Sequence, residues 1–196
     1  DDITKGLPYD SGDYDKPLNK ALEMLNYEKF RIEQKAARNE GKFLGVGFST
    51  YIESCGLAPS AWVGVGENGE GWGAGLWESA NIRIHLTGKA VVTTGSSPHG
   101  QGTETTMAQI AADELGLPIE DVEVKYNDTL GTPFGYGTYG SRSASVGGAA
   151  LYNAVQKVKQ KAIRIGAYML EASPDDVVYE DGKVSVKGSP DQAKTI

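Results

Sequence analysis

Two glycine-bounded segments hold the residue types best placed to do chemistry. The first is Gly100-Gln101-Gly102-Thr103-Glu104-Thr105. A β-rich run ends before it and a helical pattern begins inside it. The first N–H groups of a helix lack partners, and the helix dipole adds roughly half a positive charge at that end. Such a junction attracts anions, phosphate above all. Gly100 and Gly102 let a ligand approach the backbone closely. Gln101 brings both a donor and an acceptor, and Thr103 and Thr105 can cap the helix or bond a phosphate. The second segment is Gly135-Tyr136-Gly137-Thr138-Tyr139-Gly140-Ser141-Arg142-Ser143. It too runs from a glycine-rich loop into a helix start. Ser141 and Ser143 are capping residue types, and the Arg142 guanidinium can fork onto a phosphate. Each segment alone also reads as no more than a capped helix after a tight turn. Two such junctions in one small domain point to a shared, extended anionic ligand of dinucleotide size.

Other reactive side chains are sparse. His85 falls on the polar side of an alternating run and reads as a surface histidine. His99, next to the Gly-Gln-Gly turn, has the better claim to a site. Two isolated histidines do not make a metal centre. Glu53 closes a strand-like run and is a weaker candidate for orienting a ligand. The single cysteine, Cys55, excludes an internal disulfide or a cysteine-based zinc or iron–sulfur site within the chain, and reads as a small buried residue. Lys157, Lys159, Lys161 and Arg164 read as a solvated helix face. Trp62, Trp72 and Trp77 surround a glycine-rich stretch and read as packing residues.

Periodicity predicts the elements that must position the two junctions. After a polar start, Leu18, Leu22, Leu25, Ile32 and Ala36 keep helical spacing, with Asp15 as a cap and Pro17 in the first turn. Asn26-Tyr27 divides this region into two helices, and Asn39-Glu40-Gly41 ends it. The aromatic and β-branched run 42–53 predicts a strand. Residues 80–86 and 90–94 predict a hairpin through Thr87-Gly88. A helix follows over 103–115, with Met107, Ile110, Ala111 and Leu115 facing inward and Gly116 and Pro118 ending it. Residues 121–126 alternate as a strand. A long helix covers about 143–172, and a hairpin pairs 177–179 with 183–186 across Asp181-Gly182. These elements predict an α+β fold: a two-layer domain with a mixed β-sheet and helices packed on one side. Residues 1–40 form an N-terminal loop and helical connector, and 41–196 form the α+β domain.

Composition supports the placement of the site. Nineteen of the 26 glycines lie in residues 41–140, where four basic groups face eleven acidic ones. An acidic segment is a poor surface for nucleic acid, which needs clustered Lys and Arg. An anion bound here is held by backbone N–H groups rather than lysines. No stretch approaches ~18–20 apolar residues, so no membrane span is expected. No leader is expected, and the expected location is the cytoplasm.

The run 95–106, the strand exit Val122-Glu123-Val124-Lys125-Tyr126-Asn127-Asp128-Thr129 and the turn Gly137-Thr138-Tyr139-Gly140-Ser141-Arg142-Ser143 carry a resemblance. So do Tyr9-Asp10-Ser11-Gly12-Asp13-Tyr14, the run 45–53 and the run 79–84. Together, and in order, they resemble the molybdopterin-binding large subunit of the xanthine dehydrogenase/aldehyde oxidase family, with its carbon-monoxide-dehydrogenase-like bacterial members nearest. The resemblance implies that Gly100, Gln101, Gly102, Thr103 and Thr105 contact the molybdopterin cofactor, as do Tyr139, Gly140, Ser141, Arg142 and Ser143. In bacterial members that cofactor is usually the molybdenum-molybdopterin cytosine dinucleotide. Asn127 stands where glycine is common in the family.

The same resemblance implies a molybdenum hydroxylase. Its reaction hydroxylates an aldehyde or N-heterocycle carbon, or oxidises carbon monoxide, with water as oxygen source. Electrons leave through 2Fe-2S clusters to FAD on other subunits or domains. The implied partners are the rest of the molybdenum subunit, the FAD-binding and iron–sulfur subunits and a small-molecule substrate. The family's subunit is several times longer than this chain, so the chain reads as an internal fragment, inactive alone. Nothing in it corresponds to the catalytic glutamate of the family's late Gly-Glu motif, and Cys55 does not lie in the loop that carries copper in true carbon monoxide dehydrogenases. The alternative from another class is a non-enzymatic glycine-rich binding or assembly module, favoured by the lack of a complete acid–base or nucleophile set.

Overall fold

A computed structural model describes residues 12–53, 55–58 and 75–196. Trp62, Trp72, most of the glycine-rich connection and residues 9–11 of the Tyr9–Tyr14 run lie outside the described residues. The chain divides into two compact units, Asp1–Glu53 and Ser54–Ile196. The boundary read from composition falls earlier, at 40/41.

In the first unit, α1 (Asp15–Leu25) and α2 (Tyr27–Asn39) meet at Asn26. Asn26 adopts the left-handed conformation, ends α1 and caps α2 with its side chain. Asn tolerates this backbone better than most residues, which is why the division is legible in the sequence. Asp15 is the first helical residue rather than the cap, a place Tyr14 takes. Residues 42–53 form no strand. Their composition suits a pleated surface, but a strand needs a ladder partner, and none is present among the described residues. The Leu44 carbonyl instead accepts a 2.7 Å bond from the Gln34 amide, and Phe48 sets its ring edge against Tyr27 at 5.9 Å.

The second unit contains two three-stranded sheets, where the sequence suggested one. In the first, β1 (Ala80–Ile84) pairs antiparallel with β2 (Ala90–Thr94). The chain then crosses through α3 (Thr103–Leu115) to β3 (Val122–Lys125), which lies parallel to β2. This sheet is mixed, as expected. Ala90 and Val92 face a core completed by Met107, Ala111 and Leu115 of α3 and by Leu151 and Val155 of α4 (Gly148–Met169). Burying each large side chain here stabilises the unit by about 1.5–3 kcal/mol relative to leaving it exposed. The second sheet follows α4. It comprises β4 (Val177–Glu180), β5 (Lys183–Val186) and β6 (Ser189–Thr195), all antiparallel. Val177 and Val184 pack on Ala167 near the end of α4. The predicted hairpin across Asp181-Gly182 is present. β6 escapes sequence reading because its residues are polar, contain Pro190 and form a mostly exposed edge.

Topology decides where chemistry can gather. The parallel strands β2 and β3 end at the same edge of the sheet. Antiparallel β1 begins there, since Ala80 sits opposite Thr94. Residues 75–79, 95–102 and 126–142 therefore collect at one end. Open α/β sheets place ligands at the carboxyl ends of their parallel strands in the same way.

Candidate functional site

The first junction is a bare helix start. Gly100 and Gly102 hold φ of +109° and +82°, and Gly102 is the left-handed residue that begins α3. No side chain caps the helix. Intrahelical bonding begins with the Thr106 N–H, which donates to the Gly102 carbonyl at 3.0 Å. A Cβ added at either glycine would meet nothing within 4 Å. These glycines serve backbone conformation and leave the loop surface open. Gln101 is exposed, and its Oε1 accepts the His99 N–H at 2.7 Å. With the acceptor engaged, the amide NH2 remains as a donor. Thr103 is buried and Thr105 exposed. The His99 side chain stays at the surface, as does His85.

The second junction is closed. Gly137, Gly140 and Ser141 all have positive φ. A Cβ on Gly140 would lie 2.4 Å from Leu57 Cδ1, because the 55–58 segment straps across this turn. The Gly56 N–H donates to the Gly140 carbonyl at 3.0 Å. Cys55, expected to be buried, is exposed, and the backbone N–H groups of Gly56 and Leu57 bond to the Gly140 carbonyl. Ser143–Gly147 forms a π-helical turn leading into α4, with no side-chain cap. Such turns are rare and often mark functional sites.

Arg142 is wholly buried and pairs with the equally buried Glu78. Nε donates to the Leu57 carbonyl at 2.9 Å. Nη1 donates to Glu78 Oε1 and to the Gly137 carbonyl at 2.7 Å. Nη2 donates to the Leu76 and Trp77 carbonyls at 2.5 and 3.1 Å. A guanidinium has five N–H donors, and all five are engaged. The side chain therefore has no fork left for a phosphate, contrary to that part of the sequence reading. The Tyr139 ring lies 5.4 Å from the guanidinium carbon. Trp77, Phe134 and Tyr136 form an aromatic cluster beside this loop, with centroids 5.2–5.8 Å apart.

The two junctions touch. A Cβ on Gly95 would fall 2.7 Å from Gly135 Cα, so the loops meet backbone to backbone. Thr138 joins them further out: its hydroxyl accepts the Ser97 N–H at 2.8 Å and the Ser143 hydroxyl at 3.2 Å. The Ser97 hydroxyl in turn donates to the Asn127 side chain. Asn127 has φ of +59°, which explains why glycine suits this position and why asparagine can replace it. Beside it, the Tyr126 hydroxyl donates to Glu104 at 2.5 Å, and that bond raises the tyrosine pKa.

Sequence reasoning missed Glu78, Ser97 and Thr138. No local pattern marks Glu78. Only the antiparallel return of β1 brings it beneath the second loop. Among the basic residues of α4, Lys159 leaves the solvated face to pair with Glu114 at 3.2 Å and sit 5.4 Å from the Tyr179 ring centre.

Open glycine turns and two uncapped helix starts are chemistry suited to an extended anionic ligand. Residues 20–196 match the molybdopterin cofactor-binding domain family, and the chain belongs to it. It is 42% identical over 194 residues to the carbon monoxide dehydrogenase large chain of Hydrogenophaga pseudoflava, covering 97% of this chain and 23% of that one. It is 34% identical over 192 residues to the nicotine 6-hydroxylase large subunit of Paenarthrobacter nicotinovorans, covering 98% and 23%. Among solved structures, a Cu,Mo-CO dehydrogenase in its carbon-monoxide-reduced state superimposes with a TM-score of 0.66 at 40% identity, over 95% of this chain and 24% of that one. Quinoline 2-oxidoreductase from Pseudomonas putida 86 gives 0.63 at 38% identity, over 94% and 23%. The chain thus spans about a quarter of the length of these relatives. Nothing in these likenesses favours a non-enzymatic module.

Proposed function

We propose that this chain holds part of a molybdopterin dinucleotide inside a molybdenum hydroxylase. The observation that carries the proposal is the meeting of two uncapped, glycine-shaped helix starts at one end of the first sheet. The residues present fit such a cofactor, because phosphates need N–H donors and the cradle is open above Gly100 and Gly102. The cofactor-holding domain in this reading is 41–196, with 1–40 as its connector.

Each site residue has a role. Gly100, Gly102 and Thr103 present the N–H groups at the start of α3, and Thr105 adds a hydroxyl two residues further on. Gln101 directs its amide NH2 toward the dithiolene end of the cofactor. Tyr139, Gly140, Ser141 and Ser143 line the pterin or phosphate side. Arg142 contributes by fixing the loop they occupy. Bound there, the cofactor supplies oxidative hydroxylation of an aldehyde or N-heterocycle carbon, or oxidation of carbon monoxide, with water as oxygen source. The cytosine dinucleotide is the form proposed. FAD-binding and iron–sulfur subunits are the proposed electron acceptors, with a small-molecule substrate and a cytoplasmic location. No helix among the described residues is long and apolar enough to cross a membrane.

The test uses the complete subunit that carries this chain. Gln101→Ala and Ser141→Ala are expected to lower molybdenum and pterin content together, with turnover falling in step. Unchanged metal content and turnover in both variants would remove these residues from the site.

A further inference from the structure

Glu78 takes no part in the cofactor contacts described above, yet it lies where the two loops meet. Its side chain is fully buried. Oε1 accepts the Gly137 N–H at 3.0 Å and the Arg142 guanidinium. Oε2 has no hydrogen-bond partner among the described residues. It points at the places where two side chains are missing. A Cβ on Gly135 would lie 2.1 Å from Oε2, and one on Gly95 would lie 2.9 Å away. A buried carboxylate oxygen without a donor is costly, and proteins seldom keep one without a reason. Here one carboxylate bonds to the second loop through one oxygen and abuts both loops through the other.

We infer that Glu78 is a positioning residue that sets the spacing of the two cofactor loops. Ser79 reinforces its place: the hydroxyl donates to the Phe134 carbonyl, and its own carbonyl accepts the Gly95 N–H at 3.2 Å. Residues 78 and 79 thus engage both loops at their roots. Gly95 and Gly135 are glycine because the carboxylate and the opposite backbone fill the space a methyl group would need. The reach of the side chain matters as well as its charge. Any change in that reach shifts residues 95–102 and 135–143 relative to each other, and with them the two sets of N–H groups. The inference rests on the cofactor reading above for its consequence, but the coupling of the loops does not.

The test compares three forms of the complete subunit. Glu78→Gln keeps the reach and an acceptor, and leaves the Arg142 cation with its four carbonyl partners, whereas Glu78→Asp keeps the charge and shortens the side chain by one methylene. Pterin content, read by fluorescence after oxidation, is expected to stay within about twofold of wild type in Glu78→Gln and to fall at least tenfold in Glu78→Asp. Wild-type content in Glu78→Asp with loss in Glu78→Gln would show that only the charge beside Arg142 matters, and would overturn the inference. If Glu78→Gln does not accumulate, Gly95→Ala replaces it. That change presses on the Gly135 backbone as well as on Oε2, so it disturbs the loop spacing while Glu78 stays in place, and its pterin content is expected to fall as in Glu78→Asp. Retained content would overturn the inference. Amide exchange supplies a readout that needs no cofactor. It is expected to quicken in both 95–102 and 135–143 in Glu78→Asp, and quickening in 135–143 alone would refute the coupling. A wild-type subunit that carries no pterin would sink the cofactor reading and leave the exchange result standing.

Discussion

At the start of α3 the backbone is left bare, whereas at the turn into α4 it is tied on several sides. The first junction has two glycines with open space above them and no cap. The second has a strap across Gly140, a buried ion pair beneath it and five engaged guanidinium donors. The difference follows from local structure. A regular helix carries the orientation of its first N–H groups with it, so α3 needs only the correct entry turn. The second loop enters through a π turn and two successive left-handed residues, Gly140 and Ser141, which the chain would not hold unaided. The tie supplies the rigidity that α3 has from its own hydrogen bonds.

The largest expected effect comes from cutting that tie. Arg142→Met leaves Glu78 buried without its cation. Breaking one side of a buried pair costs about 3–5 kcal/mol. The urea midpoint of the chain should fall accordingly, and amide exchange should quicken first in 135–143. Changing both partners, Glu78→Leu with Arg142→Met, should recover most of the loss, because an apolar pair carries no desolvation penalty. A single variant with an unchanged midpoint would show that the ion pair is not what holds the second loop.

Two glycine substitutions sharpen the contrast at smaller cost. Gly140→Ala combines a left-handed backbone with a collision against Leu57, for about 2–4 kcal/mol. Gly102→Ala meets no neighbour and incurs only the backbone penalty, about 1–2 kcal/mol. Equal losses at the two positions, measured by denaturant unfolding, would mean that the first junction is as crowded as the second.

Sequence reading served the first junction better than the second. Gly116 ends α3 in the left-handed conformation, and Met107, Ala111 and Leu115 are buried, as local signals predict. Both glycine loops were also legible, because their composition is local. Their connection was not. Glu78 lies 64 residues from Arg142 and Ser97 lies 41 from Thr138, distances at which one sequence carries no pairing signal. Arg142 looks like a phosphate fork until its carbonyl partners are seen. The 42–53 run has strand composition without a strand, since composition describes a suitable surface and not a neighbour. The exposed Cys55 is a similar case: residue type favours burial, but the path of the strap decides it.

The smallest expected effect concerns the far end of α3. Tyr179 of β4 donates its hydroxyl to the Leu115 carbonyl at 2.8 Å, joining the second sheet to the last turn of the helix. Partial burial pushes its pKa up from 10.0 to about 12. The folded state therefore keeps the proton to higher pH than the unfolded chain. Its contribution is fully present below pH 10 and is lost as pH rises through about 12. Alkali should then loosen the helix that presents the bare junction. Unfolding midpoints taken across this range should fall in the wild-type chain and fall less steeply in Tyr179→Phe, with tyrosinate absorbance reporting the titration. An identical slope in the two proteins would remove Tyr179 from the support of α3.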